Sequence, residues 1–208
     1  ASTQSTALVF GGSGQLGRPL LARLAAAGWQ VLAVSRTVRA DSPGVRWLPG
    51  ELAAPPALPA RVEAIFSCGP LDHFASWYAG AAVAAPRVVA FGSTSAATKQ
   101  ASADAAERDL AQRLQAGEEA VFQAAARRGV AATLLRPTLV YGAGRDATLT
   151  RIARLARRWG VFALPADARG LRQPVHVDDL ADAALAACHA AAAAGQAYDL
   201  PGGETLAY

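Results

Sequence analysis

Three glycines set the first chemical constraint on this chain. Phe10 is followed by GGSGQLG, which spaces Gly11, Gly14 and Gly17 at intervals of three. The apolar run Ala7–Phe10 comes directly before it, and a stretch with leucines at 16, 20, 21 and 24 comes directly after. Apolar residues at that spacing predict a helix over Gln15–Ala27. A strand that enters a helix through a glycine turn can hold a dinucleotide pyrophosphate. The first glycine permits positive φ, the second lets phosphate reach backbone N–H groups at the positive end of the helix, and the third lets helix and sheet pack closely. The candidate cofactor cradle is therefore Gly11, Ser13, Gly14, Gln15, Leu16 and Gly17. The alternative is a glycine-rich turn that holds no ligand. No G-x-x-x-x-G-K-[ST] pattern is present, which argues against nucleoside triphosphate hydrolysis.

A second chemical position lies at the end of the next apolar run, Val31–Ser35. An acidic residue there would accept hydrogen bonds from an adenosine ribose. This chain has Ser35 and then Arg36. Serine tolerates a 2′-phosphate and arginine can pair with it, so NADP is favoured over NAD. A solvated Arg36 is the alternative.

The elements that must position these residues alternate between strand and helix. Further strands are expected at Val45–Leu48, Ala64–Cys68, Val88–Phe91 and Ala132–Leu135, with a long helix over Ala105–Arg128 between the last two. This rhythm predicts an α/β fold: a Rossmann-type, doubly wound parallel sheet. After Tyr141 the pattern changes. A helix is expected at Ala147–Trp159, short extended pieces at Val161–Leu164 and Pro174–Val177, a helix over Asp178–Ala193 capped by Asp178 or Asp179, and a last strand at Ala197–Leu200. The chain ends at ETLAY directly after a strand and turn, and more sequence is expected downstream.

Composition removes several classes of function. The chain has 208 residues, 52% hydrophobic and 17% charged, which is enough for a large core. No stretch reaches the ~18 uninterrupted apolar residues of a membrane span. The start, ASTQST, lacks the basic region of a signal peptide. Cys68 and Cys188 are too few for a disulfide scaffold or a cysteine zinc site, so no metal is expected, and a cytoplasmic protein with reduced thiols is. The net charge is +4, but the arginines are dispersed from Arg18 to Arg172, and only Arg151, Arg154, Arg157 and Arg158 share a predicted helix face. That distribution suits a small phosphate-bearing ligand rather than nucleic acid.

The motifs GGSGQLG at 11–17, GEL at 50–52, AFGSTSA at 90–96, LLRPTLVYGAGRD at 134–146, RQPVHVDDLADA at 172–183 and YDLPGGE at 198–204 together span nearly the whole chain. In these the sequence resembles the extended and atypical branches of the short-chain dehydrogenase/reductase superfamily, of NAD-dependent epimerase/dehydratase type. The resemblance implies a dinucleotide-binding domain over 1–142 and a small, reduced substrate-side region over 143–208. It implies that Glu51 and Leu52 lie against adenine, and that Cys68, Gly69 and Pro70 lie beside the cofactor. Thr94 would be the catalytic hydroxyl, Pro137 and Thr138 would lie near the nicotinamide, and Arg172 would bind substrate. His176, Asp178 and Asp179 fall in a stretch that is usually structural. A homodimer and an unidentified small-molecule substrate are also implied.

The departures from the family pattern bear on activity. The family uses a Y-x-x-x-K helix, whose tyrosine transfers a proton and whose lysine lowers the tyrosine pKa. Aligning Glu118 with the acidic residue that follows that lysine puts Leu110 and Leu114 at the tyrosine and lysine positions. No tyrosine lies between residues 80 and 140, and the single lysine, Lys99, is expected in a loop, more plausibly solvated than catalytic. Leu139 stands where relatives place an asparagine that contacts sugar nucleotides. Tyr141 and Tyr78 read as packing residues. Three functions remain open: an NADP-dependent oxidoreductase that does without the usual pair, a non-catalytic NADP(H) sensor or structural subunit, and a sugar-nucleotide epimerase/dehydratase.

Overall fold

The computed structural model describes residues 5–144, 156–160 and 171–207. The core is a seven-stranded sheet built from β1 (Thr6–Phe10), β2 (Gln30–Ser35), β3 (Val45–Pro49), β4 (Ala64–Ser67), β5 (Arg87–Phe91), β6 (Ala131–Pro137) and β10 (Gln196–Leu200). Its strand order is β10-β6-β5-β4-β1-β2-β3, and every pair is parallel. Two short pairings stand outside it. β7 (Val140–Tyr141) runs parallel to β9 (Val175–His176), and β8 (Leu171–Arg172) runs antiparallel to β11 (Leu206–Ala207).

Strand alternation sorts the core onto two faces. In β1, Ala7 and Val9 join one buried cluster, and Leu8 and Phe10 join the other. The first cluster receives α1 (Gly17–Ala26) through Leu20, Leu21 and Leu24, and α5 (Val177–His189) through Leu180, Ala181 and Ala184. The second receives α2 (Leu71–Gly80) through Leu71, Phe74 and Tyr78, and α4 (Ala105–Arg128) through Val121, Ala124 and Ala125. Helices on both faces of a parallel sheet make the expected doubly wound architecture. Arg23 fastens α1 to α5, with Nη1 donating to Asp178 at 3.1 Å and Nε paired with Asp182.

The capping chemistry explains where α4 begins and ends. The Asp104 carboxylate accepts from the Ala106 amide at 2.8 Å, and Gly129 closes the helix in the left-handed region at φ 64°. At α5 the expected acidic cap is corrected. The helix starts at Val177, and the cap is His176, whose Nδ1 accepts from the Asp178 amide at 3.2 Å. Asp178 and Asp179 instead lie in the first turn, where the helix dipole favours acids. This helix also ends at His189 rather than Ala193, because residues 191–193 form a separate 3-10 turn whose Ala193 carbonyl accepts from the Thr133 hydroxyl on β6 at 2.7 Å.

Two helices are absent from the sequence reading. α2 has apolar residues at 71, 74, 75 and 78, a helical spacing inside a segment dominated by small and polar residues. The four-residue α3 (Ser95–Thr98) is too short to show a period. Most of the expected Ala147–Trp159 helix, residues 147–155, and the extended piece at 161–164 lie outside the described residues, as do Arg151 and Arg154. Among the described residues, no helix is long and apolar enough to cross a membrane.

Leu180 is 1% exposed and carries α5 onto the sheet. Leu180→Ala should lower unfolding stability by about 2–5 kcal/mol, read by urea denaturation, because a buried leucine truncation leaves a cavity.

Candidate functional site

Parallel strands place all their carboxyl ends on one side of the sheet, and the crossovers from β1 leave in opposite directions. β2 is added on one side of β1, and β4 occupies the other. A ligand crevice is expected at that reversal. The glycine loop sits there. Gly11 has φ 73°, and a Cβ on it would lie 2.8 Å from the Cys68 carbonyl carbon and the Gly69 nitrogen at the exit of β4. A Cβ on Gly17 would overlap the Gly11 carbonyl oxygen and the Gly12 Cα. The Gly14 amide donates to the Gly11 carbonyl at 3.0 Å, which closes the turn. α1 then begins at Gly17 with no acidic residue in its first turn. Backbone N–H groups, a positive helix end and no side-chain obstruction suit a pyrophosphate, so the loop fits the expected dinucleotide.

The neighbouring loops gather at the same edge. Gly50 donates its amide to the Ser35 carbonyl at 2.9 Å, which brings Glu51 and Leu52 beside the end of β2. Ser35 is buried, and its hydroxyl oxygen accepts from the Thr37 amide and from Arg39 Nε, each at 3.2 Å. Ser35 thus organises the turn, and Arg36 projects from it, exposed, with no polar partner among the described residues. Arg39 was not anticipated from the sequence. It stacks over Trp47 at 5.2 Å and adds a second guanidinium to this corner. The Cys68 amide donates to the Phe10 carbonyl at 2.9 Å, and Pro70 caps α2, so residues 68–70 lead from β4 past Gly11 into α2. Burial pushes the Cys68 thiol up to about 12, which keeps it protonated and unreactive at neutral pH.

The adjacent cleft, about 760 Å³, lies beyond β5 and β6. Its lining includes Thr94, Lys99, Glu107, Thr138, Arg172 and Gln173. Thr94 sits at the start of α3, and its amide donates to the Pro137 carbonyl at 3.2 Å. The Thr138 hydroxyl donates to the Gln173 carbonyl, which ties β6 to the segment carrying Arg172. Gln15 of the glycine loop donates its side-chain amide to the Gly142 carbonyl, in the turn after β7, at 3.3 Å. Three residues expected at the site, Thr94, Thr138 and Arg172, share one cleft, and the Pro137 carbonyl accepts from Thr94.

Lys99 and Glu107 were not expected there. Lys99 Nζ donates to Glu107 Oε1 at 2.7 Å, and the Ser102 hydroxyl donates to Oε2 at 2.7 Å. The hydrogen bonds from Lys99 and Ser102 hold the Glu107 carboxyl below its ordinary range. The visible signal was the single lysine of an arginine-rich chain, five residues after Thr94. Deeper along α4, Glu118 is buried and grips Arg136 through Nε at 2.8 Å and through Nη2. Leu110 and Leu114 are half-buried, and Leu114 packs on the hydrophobic core. Tyr78 is buried as expected, and Tyr141, 38% exposed, stands edge-on to His176 at 5.0 Å. Among the described residues no cluster of His, Cys, Asp or Glu could hold a metal.

The model of the NAD dependent epimerase/dehydratase family matches residues 79–200. No curated protein matches the chain. Among solved structures, epimerase Mth375 from Methanothermobacter thermautotrophicus superposes with a TM-score of 0.78 at 14% identity, covering 98% of this chain and 74% of that one. WbmF from Bordetella bronchiseptica, solved with NAD+, gives 0.74 at 18% identity, covering 98% and 75%. UDP-glucuronic acid 4-epimerase from Bacillus cereus, solved with UDP-glucuronic acid and NAD, gives 0.76 at 12% identity, covering 97% and 79%.

Gly17→Ala should abolish dinucleotide binding, measured by energy transfer from tryptophan to reduced nicotinamide, because the new methyl group has no room against the loop backbone. Gly80→Ala is the control: it ends α2 and a Cβ there meets nothing within 4 Å, so folding and binding should survive.

Proposed function

The chain belongs to the NAD dependent epimerase/dehydratase family, and we propose that within it this protein is an NADP-dependent oxidoreductase that works without the usual tyrosine–lysine pair. The observation that carries this reading is a glycine loop at the strand reversal together with a polar cleft containing Thr94 at the same end of the sheet. The loop backbone and α1 hold the pyrophosphate. Glu51 and Leu52 flank the adenine, and Pro137 and Thr138 border the nicotinamide. Arg36, exposed where a ribose-binding acid would stand, pairs with the 2′-phosphate. When bound, the nicotinamide supplies a hydride equivalent, so this chain needs chiefly to orient the reacting carbon and stabilise its oxygen. Thr94, whose hydroxyl donates to the Pro137 carbonyl at 3.4 Å, turns its proton to that oxygen, and Arg172 binds an anionic part of the substrate.

Two other readings have support. Leu110 and Leu114, which carry no transferable proton, favour a non-catalytic NADP(H) sensor or structural subunit. The Bacillus cereus neighbour is named for UDP-glucuronic acid, and Arg172 could meet a diphosphate, which favours a sugar-nucleotide substrate. Against the latter, the cleft presents the apolar Leu139 where relatives contact the nucleotide through asparagine.

NADPH should bind more tightly than NADH. Arg36→Ala should weaken NADPH by about 1–3 kcal/mol, the scale of a charged hydrogen bond, and leave NADH unchanged. Equal loss for both cofactors would remove the 2′-phosphate role. A panel of aldehydes, ketones and enones, followed by NADPH oxidation, separates enzyme from sensor. Thr94→Ala should cut turnover at least about tenfold while NADPH still binds. Tight NADPH binding with no turnover on the whole panel would favour the sensor.

A further inference from the structure

We infer that Lys99 is the proton donor of this cleft, held for that task by Glu107, in place of the tyrosine that α4 lacks. The inference rests on the oxidoreductase reading above and deepens it.

Elimination among the described residues that line the cleft leaves one candidate. Its ionisable side chains are Lys99, Glu107 and Arg172. Arginine does not release its proton in proteins. Glu107 is held ionised by its hydrogen bonds to Lys99 and Ser102, so it has no proton to give at neutral pH. The remaining polar liners, Ser93, Thr94, Ser95, Thr98, Thr138 and Thr205, are hydroxyls, with the amide of Gln173. These can orient a substrate, but they do not ionise there. Among the described residues no tyrosine or histidine lines the cleft. Tyr78 is enclosed in the core, Tyr141 packs on His176, and Tyr198 lies on the edge strand β10.

The local fold fixes where the amine points. Thr94 opens α3 and Lys99 closes it, with the Lys99 amide donating to the Ser95 carbonyl at 3.2 Å. One turn of helix thus holds the carbonyl-polarising hydroxyl and the ammonium group on the same rim. Glu107, one turn before Leu110 on α4, reaches across and takes one of the three Nζ protons. The other two face the cleft and solvent, since the Lys99 side chain is 33% exposed. An ion pair this exposed adds little to stability, which leaves positioning as its use.

The step balances as follows. The carbonyl carbon gains the hydrogen and electron pair that NADPH supplies, the cofactor becomes NADP+, and the carbon–oxygen π pair moves onto oxygen beside Thr94. An N–H bond of Lys99 breaks and an O–H bond forms, so the product is an alcohol. The neutral amine then recovers a proton from water at its exposed side. An alkoxide takes a proton from an ammonium downhill, which is the requirement for a general acid.

The test uses the whole chain with NADPH and 4-nitroacetophenone, together with the carbonyl panel above. Lys99→Met should lower kcat at least about 100-fold, the usual scale for losing a general acid. Lys99→Arg, which keeps the charge but cannot release a proton, should fall nearly as far. NADPH affinity and melting temperature should be unchanged in both. A readout independent of turnover uses the fact that Lys99 is the only lysine. With NADP+ in place of NADPH, 4-nitroacetophenone should slow trinitrophenylation of Lys99 by trinitrobenzenesulfonate at least about fivefold. A Lys99→Met protein that keeps its rate, or labelling that ignores the ketone, overturns the role of Lys99 and leaves the oxidoreductase reading standing. A protein that binds NADPH but reduces no carbonyl overturns both.

Discussion

The reversal of strand order at β1 is the constraint on which the rest of the molecule depends. One crossover carries the chain to β2 and β3, and the later strands build outward from β4 on the other side. Loops leaving β1 and β4 therefore diverge and open a crevice at their carboxyl ends. Only a backbone without side chains can line its base, since a methyl at Gly11 would strike the exit of β4 and one at Gly17 would strike the loop itself. The close packing that lets α1 lie on the sheet is the same packing that exposes N–H groups to a phosphate. Folding and ligand binding share one set of contacts here.

A second contact decides what α4 can do. Glu118, buried on that helix, is matched by Arg136 at the end of β6, which reaches on toward Asp199 of β10 at 3.6 Å. A buried carboxylate without its partner is costly, so the register of α4 against the sheet is held by this pair. With the register held, Leu110 and Leu114 come where proton chemistry would be expected, and Leu114 packs into the core. The polar groups of the cleft come instead from the first turn of α4, from the short α3 and the loop before it, and from Thr138, Arg172, Gln173 and Thr205.

What the sequence made legible follows the same physics. The central strands could be read because each is apolar and bounded by glycine, proline or polar residues, and α4 because Asp104 and Gly129 mark its ends. The glycine loop could be read because its chemistry is contiguous. The cleft could not, because Lys99 and Glu107 meet only through the fold of α3, which has no periodicity of its own. Arg39 was missed for a related reason: its place depends on Trp47 from the neighbouring strand and on the buried Ser35 hydroxyl. The His176 cap escaped notice because aspartates beside it satisfy the usual pattern, and only the backbone geometry shows which side chain accepts the Asp178 amide.

Cofactor binding in this architecture belongs to the main chain, and proton transfer belongs to side chains. A main-chain cradle survives many substitutions as long as a few glycines remain, which is why structures at 12–18% identity still superpose on this one. A proton donor survives none. Likeness to epimerases at this identity shows the fold, and chemistry has to be argued from this chain's own side chains. Leucine at two positions of α4 argues against a tyrosine-based proton transfer, yet it does not remove the conditions for reduction. Those conditions are a bound nicotinamide, a hydroxyl to polarise the carbonyl, and one group that can release a proton, and none of them requires a tyrosine on α4.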